Sequence, residues 1–70
     1  MRFTIETEQE EDKRWIAEVL ELAGVLAYGA TRDQAIARAK ALALRVVAER
    51  LDYGEEASAL AIIAFEAALV

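Results

Sequence analysis

GATRDQAIARAKALALRVVAERL, residues Gly29 to Leu51, holds a turn glycine, a capping threonine and the one long helical period of the chain in immediate succession. Thr31-Arg32-Asp33-Gln34 has the form of a capping box, in which the Thr31 hydroxyl accepts from the Gln34 N–H and the Gln34 side chain reaches back to the N–H of Thr31. Asp33 falls in the first turn, where the positive end of the helix dipole favours a carboxylate. From there Ala35, Ile36, Ala39, Leu42, Ala43, Val46, Val47 and Leu51 recur at the spacing of one helix face, and Gln34, Arg38, Arg45, Glu49 and Asp52 fall opposite. Leu44 widens the apolar arc on one flank. The alanines permit close backbone approach, so the helix has room for a second body besides its own sheet. Gly54 is the natural stop, through a left-handed conformation that glycine adopts at little cost.

Working outward, residues Arg2 to Glu8 alternate, with Phe3 and Ile5 on one side and Thr4, Glu6 and Glu8 on the other, the period of a half-buried strand. Gln9 to Lys13 has no apolar residue and reads as a hairpin tip. A second strand is expected from about Arg14 to Glu21, with Trp15, Ala17 and Val19 alternating against Arg14 and Glu18. Ile16 and Leu20 make its other face partly apolar too, which calls for cover on both sides of the sheet: the helix on one, another body such as a second subunit on the other. Leu22-Ala23-Gly24 reads as a turn, and a short strand from Val25 to Tyr28 ends at Gly29. The tail from Ala59 to Glu66 is open between helix, favoured by its alanines, and strand, favoured by Ile62, Ile63 and Phe65.

With 70 residues the chain is a single domain, 1–70, with a thin core. Small scaffolds without disulfides or metals reach stability by oligomerising, and 57% apolar residues is high for so small a body, so a homo-oligomer, dimer or tetramer, is expected. A net charge of −5 argues against direct nucleic-acid binding and suits a basic protein partner. No signal peptide is read at the N-terminus, and the apolar tail is too short for a membrane span and carries Glu66. The expected location is the cytoplasm, with no membrane association.

The ordered set of an alternating strand, an acidic hairpin tip, Trp15-Ile16-Ala17-Glu18-Val19, then Glu21-Leu22-Ala23-Gly24-Val25, and Tyr28-Gly29-Ala30-Thr31 opening a helix with Gln34-Ala35 and Ala39, resembles the HicB-like antitoxin family. The likeness covers about Arg2 to Leu51, and Gly54-Glu55-Glu56 is similar to the family's approach to its last strand. The family pattern usually has Pro-Gly where Ala23-Gly24 stands, often a Cys near Val25, and a Pro in the acidic connection that this chain lacks. The resemblance implies a truncated ribonuclease-H-like fold of class α+β: a small antiparallel sheet of three strands, one long helix packed on one face, and a short fourth strand, in the order β-β-β-α-β. It resolves the tail as a strand from about Leu60 to Ala67. It implies binding and silencing of a small basic RNA-cleaving toxin. Because the sequence stops at Val70, no DNA-binding segment and no direct operon repression are expected.

Glu6, Glu8, Glu10, Glu11 and Asp12 are the densest charge in the chain. They read either as an acidic edge that steers a basic toxin, with Trp15 as an apolar anchor, or as a solvated tip that blunts an edge strand. Trp15 and Phe65 read first as core residues and otherwise as exposed anchors of a subunit or toxin interface, an end that Tyr28 and Tyr53 could also serve. Ile62, Ile63, Phe65 and Leu44 are the candidate oligomer interface. No catalytic, cofactor or metal residue is assigned: there is no His or Cys and a single Ser, Ser58, so no triad or acid–base histidine can be built, and carboxylates consecutive on one hairpin splay apart instead of converging on metal ions. The reading is a non-enzyme; the alternative to an antitoxin is a stand-alone oligomeric structural or regulatory protein with no toxin partner.

Overall fold

Alternation in the first strand, β1 (Arg2–Gln9), sorts its side chains onto two faces, and everything else in the fold follows from which face the helix covers. The computed structural model describes residues 2–54 and 64–67. After β1 come β2 (Trp15–Val19), β3 (Leu26–Gly29), the helix α1 (Arg32–Asp52) and β4 (Ala64–Ala67). The sheet has the order β3-β2-β1-β4, antiparallel except that β4 runs parallel to β1. The α+β class, the three antiparallel strands with a short fourth, and the single helix on one face are as the sequence implied.

Register places Ile5 opposite Val19 and Thr7 opposite Ala17 in the β1–β2 pair, and Phe3 opposite Phe65 in the β1–β4 pair. Phe3, Ile5, Ala17 and Val19 are therefore on one face, fully buried beneath Ala35, Ala39, Ala43 and Val47 of α1. Leu22 and Val25 close the core at one end, and Trp15, Ile36, Leu42, Val46 and Phe65 pack around it half-exposed. The Phe3 and Phe65 rings meet at 5.5 Å, tilted by 48°, an arrangement their quadrupoles favour. Leu51, assigned to the buried face by its spacing, is 41% exposed, one turn past the end of the buried row Ala35, Ala39, Ala43 and Val47.

The helix begins where the sequence puts it, with one change in the cap. Thr31 is extended and its hydroxyl accepts from the Gln34 N–H at 3.1 Å, but the Gln34 side-chain Oε1 accepts from the N–H of Ala30 at 2.7 Å, one residue earlier than a standard capping box. Gln34 thereby ties the end of β3 to the first turn of α1. The approach is tight: a Cβ on Gly29 would lie 2.5 Å from the Ala35 nitrogen, so only glycine fits there. A second tie comes from Arg32, whose Nε donates to the Thr7 hydroxyl at 3.1 Å. At the other end Gly54, at φ +74°, donates its N–H to the Leu51 carbonyl and stops the helix as expected.

Strand ends differ by a residue or more from the sequence reading. β1 runs on to Gln9, and β3 begins at Leu26 rather than Val25. β2 stops at Val19, short of Glu21, because two tight turns follow, with Leu22 donating to the Val19 carbonyl and Val25 to that of Leu22. Of the expected strand from Leu60, the described part is Ala64–Ala67; Ile62 and Ile63 lie outside the described residues. In the β1–β2 hairpin, Lys13 occupies a left-handed conformation at φ 74°.

Two outcomes test these local readings. Thr31→Ala should lower stability by about 1 kcal/mol in a denaturant titration, since it leaves the Gln34 N–H without its acceptor. Lys13→Gly should raise stability by up to about 1 kcal/mol, because a left-handed backbone is costly for any residue with a Cβ; a loss of stability would mean the lysine side chain holds the turn.

Candidate functional site

With the helix on one face, the even-numbered residues of β1, β2 and β3 form a second face that no described element covers. The β1–β2 and β2–β3 registers put Tyr28, Ile16 and Glu8 in one row across it and Leu26, Glu18 and Glu6 in the next. The face is divided: apolar on β3 and the start of β2, acidic on β1 and the end of β2. Leu26 and Tyr28 are exposed by 38% and 39%, and Leu20, just beyond β2, by 48%.

Glu6 stands directly opposite Glu18, with Glu8 two residues along on the same face. Like charges opposed across strands destabilise a sheet. Among the described residues the ion pairs are Arg2 with Glu66 at 3.5 Å and Arg14 with Asp12 at 2.7 Å, so neither Glu6, Glu8 nor Glu18 has a cation within bridging distance. Together with Glu10, Thr7 and Ile16 they line an open depression of about 390 Å³.

The hairpin tip behaves differently. Asp12 accepts from the Arg14 N–H at 3.2 Å and from its Nε at 2.7 Å, and these bonds hold its carboxyl below the usual carboxylate range. Arg14 in turn lies 4.6 Å from the centre of the Tyr28 ring, a cation–π contact that pins the tip to the β3 side of the open face. Of the acidic residues singled out by sequence, Glu6 and Glu8 are on the open face, Glu10 is at its rim, and Glu11 and Asp12 are at the exposed tip. Trp15 is not among them: it pairs with Gln9 and Gly29 and packs, half-buried, against the core under α1. Glu18 and Leu26 belong to the face without having been singled out, although the alternation of β2 already set Glu18 opposite to Trp15, while Tyr28, a candidate anchor by sequence, is on the face as well.

The two candidate interface residues that can be placed lie on the helix side. Phe65 is half-buried against Phe3, with the Lys40 ammonium 5.9 Å from its ring centre, and Leu44 is 49% exposed on α1. Among the described residues no group of three or more metal-ligating side chains comes together, and no helix is long and apolar enough to cross a membrane. Compared with known proteins, the chain matches no family model, no curated protein and no solved structure.

Where β2 gives out, Glu21 continues the ladder with its side chain: its Oε1 accepts from the Thr4 N–H at 2.7 Å, while the Leu20 N–H donates to the Thr4 carbonyl at 3.0 Å. Desolvation, the largest single influence, opposes ionisation of Glu21, but the hydrogen bonds from Thr4 and from the Glu21 backbone together outweigh it and lower the carboxyl below its ordinary 4.5. A lowered folded-state value means the stabilisation is present above pH 4.5 and is lost as pH falls through the depressed value. Glu21→Gln should therefore be less stable than the parent at neutral pH, and the gap should narrow on acidification below 4.5. A gap that stays constant in chemical denaturation across that range would show that the carboxylate is not what holds Thr4.

Proposed function

We propose that this chain is a non-catalytic protein-binding module, an antitoxin of HicB-like type that sequesters a small basic RNA-cleaving toxin in the cytoplasm. The observation that carries the reading is the sheet face that no described element covers, where Glu6, Glu8 and Glu18 have no ion-pair partner among the described residues and stand beside Ile16, Leu26 and Tyr28. An opposed glutamate pair costs stability in the free protein, and a cationic partner removes that cost on binding. The apolar half of the same face gives such a partner area to desolvate, from which affinity comes, whereas the carboxylates govern encounter rate and specificity. The β-β-β-α-β order agrees with what the family resemblance implies. The lack of His and Cys supports a binding role over catalysis.

The test is association with a co-encoded small basic ribonuclease, followed by stopped-flow kinetics and by an RNA-cleavage assay. Binding should silence cleavage, and its association rate should fall as salt rises, because exposed charges are screened over roughly 10 Å at 0.1 M. Glu6→Lys with Glu8→Lys should slow association about tenfold or more while changing dissociation far less. Absence of binding would remove the antitoxin reading and leave a stand-alone oligomer; binding without salt dependence would move the interface off the acidic face.

A further inference from the structure

The outward side of α1 carries five apolar residues, Ala37, Ala41, Leu44, Ala48 and Leu51, all exposed and spaced alternately four and three apart. Leu44 and Leu51 are exposed by 49% and 41%. A four–three alternation, averaging about 3.5 residues, is the seam of one helix packed along another, and it is distinct from the i, i+4 row Ala35, Ala39, Ala43, Val47 that faces the sheet. The helix thus has two apolar faces, and the fold uses one.

We infer that a second copy of this chain covers the outward face, the two α1 helices packing antiparallel about a two-fold axis between Arg45 and Val47. In that register Leu44 lies against Ala48 of the partner subunit and Ala41 against Leu51 of the partner subunit, so each layer sets a large side chain on a small one. Alanine opposite leucine lets helix axes approach to about 8 Å without voids. Charge selects the direction. Arg38, Arg45 and Asp52 share one flank of the seam and Asp33 and Lys40 the other. Antiparallel packing brings Arg38 to Asp52 of the partner subunit at both ends, with one like-charge meeting of the two Arg45 side chains at the centre. Parallel packing would bring Lys40 against Arg45 of the partner subunit twice, and Asp33 beside Arg38 would only balance that. The interface also has something to supply: among the described residues the largest fully buried side chains are Phe3, Ile5 and Val19, a small core. It leaves the acidic sheet face free on both copies.

The purified protein alone suffices for the test, so its outcome is independent of whether a toxin binds. Light scattering on a sizing column at micromolar concentration should give twice the monomer mass, and Leu44→Glu should halve it while helical circular dichroism is kept. With no native cysteine in the chain, Ala41→Cys and Leu51→Cys report direction: under oxidation the mixed pair should form a disulfide-linked dimer, and each variant alone should not. A monomeric parent, a dimer mass that Leu44→Glu leaves unchanged, or self-crosslinking of each single variant would overturn the proposal. Dimerisation seen only when a different protein is added would equally overturn it, assigning the seam to that protein instead.

Discussion

The distance between helix and sheet is the constraint on which the rest of the structure depends, and small side chains set it. Ala35, Ala39 and Ala43 bring α1 down onto Ala17 and Val19 on β2 and Ile5 on β1, and Gly29 removes the Cβ that would strike Ala35. A larger residue at any of these positions would tilt or lift the helix and open gaps that a core of so few large side chains could not fill. Close approach also lets Arg32 reach Thr7, and Arg38 donate to the Tyr28 carbonyl at 2.9 Å. The latter contact occupies an outward-pointing acceptor on the edge strand β3, so the helix that covers the core also blunts an edge open to aggregation.

Two opposite faces remain once that layer is built, and they differ in chemistry. The sheet face is acidic with an apolar border, suited to a basic and partly apolar partner. The helix face is apolar with flanks of mixed charge, suited to another helix. The separation follows from geometry: a strand sends alternate residues to opposite sides, and a helix lying on a sheet buries one stripe of its circumference and leaves the rest outside.

Much of this was legible from periodicity. Alternation in β1 gave the buried Phe3 and Ile5, and the 3.6-residue period with its Thr31 cap gave α1 almost to the residue. What local pattern could not give depends on contacts distant in sequence. The end of β2 was overextended because its ladder continues through a side chain, Glu21 to Thr4, which no alternation records. The Gln34 bond to Ala30 instead of Thr31 depends on how the chain leaves β3. Trp15 was grouped with the hairpin acids because it is near them in sequence, but the pleat turns it to the other side of the sheet. The tail has no local pattern that separates strand from helix, since the partner that makes Ala64–Ala67 a strand is the first strand of the chain.

That last pairing has a kinetic consequence. β1 is an inner strand of the finished sheet, yet one of its two neighbours is β4, the last described strand, joined to it in parallel from Arg2 opposite Ala64 to Ile5 opposite Ala67. During synthesis the β1–β2–β3 meander and α1 are complete while one side of β1 still presents unpaired amides and the flank of Phe3 to its surroundings. Closing so long a loop is entropically costly and belongs late in folding, after the local hairpins and the helix have formed. The β1–β4 pairing is thus the most non-local contact of the described sheet, and β1 stays an edge strand until it is made.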